Sequence, residues 1–128
     1  MKVFLMISML LVSLSALAFD GAAHFKKNCA TCHTIGEGDK IGPDLAGVSK
    51  RRKLDWIVKF VKYPDGMIDG DDEEPGYEKA DPIAKSVYAL YKPQRMTEQE
   101  MTKEQVVAVL AYIDSLKKEP KGKITTLK

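Results

Sequence analysis

Apolar positions recur with a helical period in four stretches of this chain, and none of them shows the two-residue alternation of a half-buried strand. The clearest stripe is Val106, Val109, Leu110, Ile113 and Leu116. Thr102 stands before it as a cap, with Gln105 at the third helical position, the pairing of a capping box. Leu54, Ile57, Val58 and Val61 mark a second helix, ended after Tyr63 by Pro64. Asp81-Pro82 puts a side-chain cap before a proline in the first turn, which predicts a helix to about Tyr91, closed by Pro93. A fourth helix starts at Asp20 and runs to about Asn28, with Gly21 and Phe25 on one face. Between the second and third of these periodic segments, Tyr63 to Pro82 is crowded with Asp and Glu and broken by Pro64, Gly66, Gly70, Pro75 and Gly76, so it reads as a loop. After Lys118 the sequence is polar and Lys-rich and predicts a frayed tail. The fold class expected is all-α.

The first residues carry a different signal. Lys2, the apolar run Val3 to Leu14 and the small-x-small Ala16-Leu17-Ala18 form a secretory signal, cleaved after Ala18, which leaves one domain over 19–128. The alternative is a retained anchor, but the run is short for a membrane span. An exported, periplasmic protein without stable membrane insertion is therefore expected, and a monomer. Charge adds little: 20 Lys and Arg oppose 18 Asp and Glu, so the total gives no reason to expect a nucleic-acid partner.

What turns a small helical domain into a chemical hypothesis is Cys29-Ala30-Thr31-Cys32-His33. Two thiols separated by two residues can each add to a vinyl group of one porphyrin, and the adjacent imidazole then lies under the iron. The competing reading is a redox-active CxxC that happens to precede a histidine, but that motif belongs at the end of a strand in a βαβ unit, and no strand pattern precedes it. The expected cofactor is one haem c, covalent through Cys29 and Cys32, with His33 on the iron.

An iron held by one histidine needs a second axial ligand or keeps an open position. The candidates are His24, Met67, Met96 and Met101. His24 lies on the helix that leads into the motif, on the His33 side. Met67 falls within the acidic loop. Met101 directly precedes the Thr102 cap, where an apolar residue packs back on its own helix as a staple. Met96 is left as the distal ligand.

In order along the chain, a helix ending in CxxCH, then Gly42-Pro43-Asp44-Leu45, then Met96, then a final helix carrying Ala111-Tyr112-Ile113, resemble the class I, mitochondrial-like cytochromes c of bacteria. The resemblance covers essentially the whole mature chain. It implies about four helices wrapped around one covalently bound haem, and a one-electron carrier rather than an enzyme. The partners it implies are redox proteins, a donor reductase and an acceptor oxidase or reductase. It implies that a carbonyl at the Pro43 segment orients His33, that Gly21 and Phe25 meet Tyr112 where the first helix crosses the last, and that Trp56, Arg51 and Arg52 face the haem propionates. Indole and guanidinium N–H groups are the donors such carboxylates require. The sequence departs from the family at Thr97-Glu98-Gln99-Glu100, more polar than the usual methionine loop, and in its long acidic segment.

Two further expectations concern charge. Asp69, Asp71 and Glu73 alternate as calcium ligands would, but the sixth position of that loop is Glu74 rather than Gly and the twelfth is Ala80 rather than Glu, which argues against a calcium site. In the family the exposed haem edge lies beside the motif and the methionine loop, whose flanks here carry Lys26, Lys27, Lys40, Lys92 and Arg95, so the resemblance implies a basic rim, and it places the acidic segment toward the propionate end of the haem.

Overall fold

A computed structural model describes residues 18–127. The signal assigned to 1–18 lies almost wholly outside the described residues. Six α-helical segments follow one another: α1 (Gly21–His24), α2 (Val48–Arg51), α3 (Leu54–Lys62), α4 (Pro64–Asp69), α5 (Pro82–Tyr91) and α6 (Lys103–Ser115). One π turn, Phe25–Cys29, continues α1, and a 3₁₀ turn, Lys123–Thr126, comes last. No strand occurs among the described residues, and no described helix is long and apolar enough to cross a membrane.

The local signals act as their chemistry requires. Asp20 Oδ1 accepts from Ala23 N at 3.0 Å and Asp81 Oδ1 from Ala84 N at 2.8 Å. Thr102 and Gln105 exchange both bonds of the capping box, at 3.2 and 3.0 Å. Met101, just outside that cap, is buried in the same core as Val106, as a staple requires.

The core is built where α1 crosses α6. Phe25, Ile57, Met101, Val106, Val109, Leu110 and Ile113 are all buried in it, and the Phe25 and Tyr112 rings meet at 5.7 Å. Gly21 makes the crossing possible, since a Cβ there would fall on the carbonyl of Ala108.

Two sequence expectations need correction. Part of the supposed acidic loop is the helix α4, which buries Pro64, Gly66, Met67 and Ile68. Met67 and Ile68 form a satellite core with Ala84, covered by Trp56, Phe60, Tyr77 and Tyr88. Pro64 and Gly66 look like helix breakers in the sequence, but Pro64 occupies the first turn, and Gly66 lies against the Tyr63 ring, where a Cβ would not fit. The remainder, 70–80, is a closed excursion whose ends meet through Asp81 N donating to Met67 O at 2.7 Å.

The second correction is the tail, which is docked rather than frayed. Lys121 N donates to Asp44 Oδ2 at 3.2 Å and Lys123 N to Asp39 Oδ2 at 2.9 Å. The same Asp39 accepts from Tyr91 OH at 2.6 Å, and Lys123 Nζ sits 4.5 Å above the Tyr91 ring while donating to Leu90 O at 2.8 Å. These bonds deliver Ile124 into a buried position.

Candidate functional site

The helices enclose a largely apolar cavity of about 420 Å³. All eight residues singled out from the sequence, Cys29, Cys32, His33, Pro43, Arg51, Arg52, Trp56 and Met96, line it. Of the other candidate ligands, Met101 also lines it, whereas Met67 belongs to the satellite core and His24 is bonded to Asn28 through Nδ1 at 3.2 Å.

The motif is presented by the end of the π turn. Cys29 O accepts from Cys32 N at 3.1 Å and from His33 N at 2.9 Å, a tight turn that keeps both thiols and the imidazole at the cavity wall. No disulfide joins Cys29 to Cys32. Burial, with Cys32 beside it, pushes the Cys29 thiol up from its ordinary value. That is the reverse of what a thiol–disulfide catalyst needs, because such a catalyst works through a stabilised thiolate.

His33 is held from behind. Its Nδ1 lies 2.8 Å from Pro43 O, which fixes the tautomer with the proton on Nδ1 and leaves Nε2 as an electron-pair donor. Nε2 makes no hydrogen bond among the described residues. Burial lowers the affinity of the ring for a second proton, only partly opposed by the Pro43 bond, so the imidazole is neutral. The close approach depends on Gly42: a Cβ there would come within 2.7 Å of His33 Cε1. Gly42 N in turn donates to Cys32 O at 2.7 Å.

Sequence reasoning missed the residue that shapes this loop. Asp44 is fully buried, and its carboxylate accepts from Gly36 N at 2.7 Å, Gly38 N and Ala46 N at 2.9 Å, and Lys121 N at 3.2 Å. Burial alone would push this carboxyl up, but the four backbone donors outweigh it and hold it below the ordinary carboxylate value. The signal that could have found it is an aspartate set between Pro43 and Leu45 in an otherwise apolar wall.

The polar side chains expected at the propionates are partly committed elsewhere. Trp56 Nε1 donates to Asp81 Oδ1 at 3.0 Å, tying α3 to the cap of α5. Arg51 donates to the carbonyls of Ala46 and Asp44, the latter at 3.2 Å. Arg52 donates to Arg51 O at 2.8 Å and stands 5.7 Å over the Trp56 ring. Arg95 is not a free member of a basic rim, since it pairs with Asp65 at 2.9 Å and Asp69 at 2.8 Å.

An apolar cavity, a neutral imidazole with an available Nε2, thioether candidates on the same wall and methionine sulfur close by suit a flat, largely apolar macrocycle carrying a borderline-soft iron. No cluster of His, Cys, Asp or Glu suited to a bare metal ion occurs among the described residues.

Comparison with known proteins agrees with that donor set. A cytochrome c from Rhodothermus marinus has a similar structure, with a TM-score of 0.60 and 29% identity over 75% of this chain and 72% of that one. A cytochrome c of Arabidopsis thaliana is 51% identical over 43 residues, 32% of this chain and 38% of that protein. A cytochrome c-553-like protein of Synechocystis is 49% identical over 41 residues, 32% of this chain and 39% of that protein. The aligned part therefore spans about two fifths of these curated relatives. The sequence pattern of the family described as Cytochrome c matches residues 18–117. Taken with the all-helical fold and the CxxCH wall of the cavity, this makes the chain a member of the cytochrome c family, carrying covalently attached haem c.

Proposed function

We propose that this protein is a mono-haem, one-electron carrier of a periplasmic electron-transfer chain, with His33 and Met96 as axial ligands and thioether bonds at Cys29 and Cys32. The observation that carries the reading is His33: its Nδ1 is engaged by Pro43 O at 2.8 Å, and the residue lines the cavity with Nε2 available. The haem supplies an iron that cycles between Fe(II) and Fe(III). Everything else is done by the chain. Cys29 and Cys32 each form a carbon–sulfur bond to a vinyl group, the thiol hydrogen passing to the other vinyl carbon. Pro43 O keeps the proton on Nδ1 and raises the basicity of the ring. Met96 offers a thioether, which favours the reduced state more than a second nitrogen would. The apolar walls exclude water, so neither oxidation state has to reorganise much solvent.

Arg52, with one donor spent on Arg51 O, keeps others for a propionate. Arg51 contributes positive charge alongside it, and Trp56 contributes its ring to the wall while its N–H holds Asp81. No side chain is assigned a catalytic role. The partners are a donor reductase and an acceptor oxidase or reductase, met transiently by a monomer.

The test is composition. Expressed with a haem c maturation system and exported, the protein should retain its haem through acid-acetone extraction and show the mass of residues 19–128 plus one haem. Free extraction of the haem, or a Cys29–Cys32 disulfide in the purified chain, overturns the assignment.

A further inference from the structure

The segment joining α5 to α6, residues 92–102, has no regular secondary structure, yet it carries Met96. It is held at two points. On the C-terminal side, Gln99 N donates to Val61 O of α3 at 2.9 Å. On the N-terminal side the anchor is the side chain of the residue next to the methionine.

Arg95 reaches across to α4. Its Nη1 donates to Asp65 Oδ1 at 2.9 Å and to Asp69 Oδ2 at 2.8 Å, and its Nη2 donates to Asp69 Oδ1 at 3.4 Å. The two carboxylates are four residues apart, on one face of α4. The guanidinium also lies 4.5 Å over the Tyr88 ring of α5. One planar fork is thus fixed by two acids and an aromatic face, a geometry that a lysine would not reproduce. The base it grips is firm, because α4 buries Met67 and Ile68 in the satellite core.

We propose that the Arg95–Asp65–Asp69–Tyr88 cluster is a clamp that positions Met96, and that the acidic residues of α4 serve to hold the methionine segment rather than to dock a partner. The proposal rests on Met96 being the distal ligand. A single exposed ion pair is worth little, but here two carboxylates and a ring converge on the residue adjacent to the ligand. Displacing the methionine requires the segment to swing away from the cavity, and the clamp opposes that swing on one side while the Gln99–Val61 bond opposes it on the other.

The experiment is imidazole binding to the ferric holoprotein, followed by loss of the far-red thioether-to-iron band, in wild type, R95Q, D65N/D69N and the triple variant. R95Q and D65N/D69N should each raise imidazole affinity roughly tenfold, as expected for losing a small network. The triple variant should gain no more than R95Q, because R95Q already removes every contact of the cluster, whereas D65N/D69N leaves Arg95 over the Tyr88 ring. R95K should fall between wild type and R95Q. Amide exchange of Gln94, Thr97 and Glu98 should quicken in the variants, with thermal stability nearly unchanged. Unaltered affinity in R95Q, or additive gains in the triple variant, overturns the clamp. M96A separates this from the underlying assignment: if it keeps the far-red band, Met96 is not the ligand; if it loses the band while R95Q behaves as wild type, only the clamp fails.

Discussion

Met96→Ala is expected to abolish the far-red band of the ferric protein and to lower its reduction potential by on the order of 200 mV, a substantial part of the ~0.8 V that axial ligation commands. Under the proposed His33/Met96 ligation the sulfur is the soft donor of the pair, and losing it would remove the preference for Fe(II) while admitting water to a cavity whose walls are otherwise apolar. Carbon monoxide should then bind the reduced variant, whereas wild type should resist it. Met101→Leu is the control. Met101 also lines the cavity, but it is buried in the main core beside Val106, and leucine keeps that packing. Spectroelectrochemical titration of the two variants decides between them, and loss of the band in M101L with retention in M96A reverses the assignment.

The second large effect belongs to Asp44. Asp44→Asn should destabilise the folded protein by about 3 kcal/mol at neutral pH and lower its melting temperature by roughly 10–20 °C. The amide can accept from Gly36 N and Ala46 N through its one oxygen, but its NH₂ then faces Gly38 N and Lys121 N, donor against donor. The pH dependence has a definite sign. The carboxyl has a lower pKa folded than unfolded. Its contribution is therefore complete above the ordinary carboxylate value of about 4 and is lost as pH falls through the lower, folded value. The difference between wild type and D44N should be largest near pH 7 and should shrink below about pH 4. Chemical denaturation at several pH values measures it, and a gap that widens in acid would refute the account.

What could be read from the sequence was whatever is encoded within a few residues. The caps at Asp20, Asp81 and Thr102 bind N–H groups three positions away, and the motif at Cys29–His33 is a single turn. The α6 stripe likewise needs only its own period. What could not be read depends on distant partners. The helix α4 was hidden because Pro64 and Gly66 are breakers unless one knows that the first occupies the opening turn and the second lies against Tyr63. Arg95 looked like free positive charge because its carboxylates are 26 and 30 residues away. Trp56 resembles a propionate-facing residue of the family, while its indole N–H is engaged 25 residues away at Asp81. The tail looked featureless because one isoleucine among lysines has no period, and the acids that hold it lie 77 and 84 residues earlier.

That last separation leaves part of the cavity wall to the far end of the chain. The loop behind the CxxCH motif is closed by nearby amides, those of Gly36, Gly38 and Ala46 on Asp44, and the amides of Lys121 and Lys123 then pin the tail against Asp44 and Asp39. The same tail brings Ile124 to the cavity wall. Chains stopped at Lys118 should acquire covalent haem as readily as full-length ones during expression with a maturation system. They should then lose about 2 kcal/mol or more of stability for want of the charged Asp44 bond and the buried isoleucine. Poor haem attachment in the shortened chain would mean instead that the wall has to be finished before the cofactor enters.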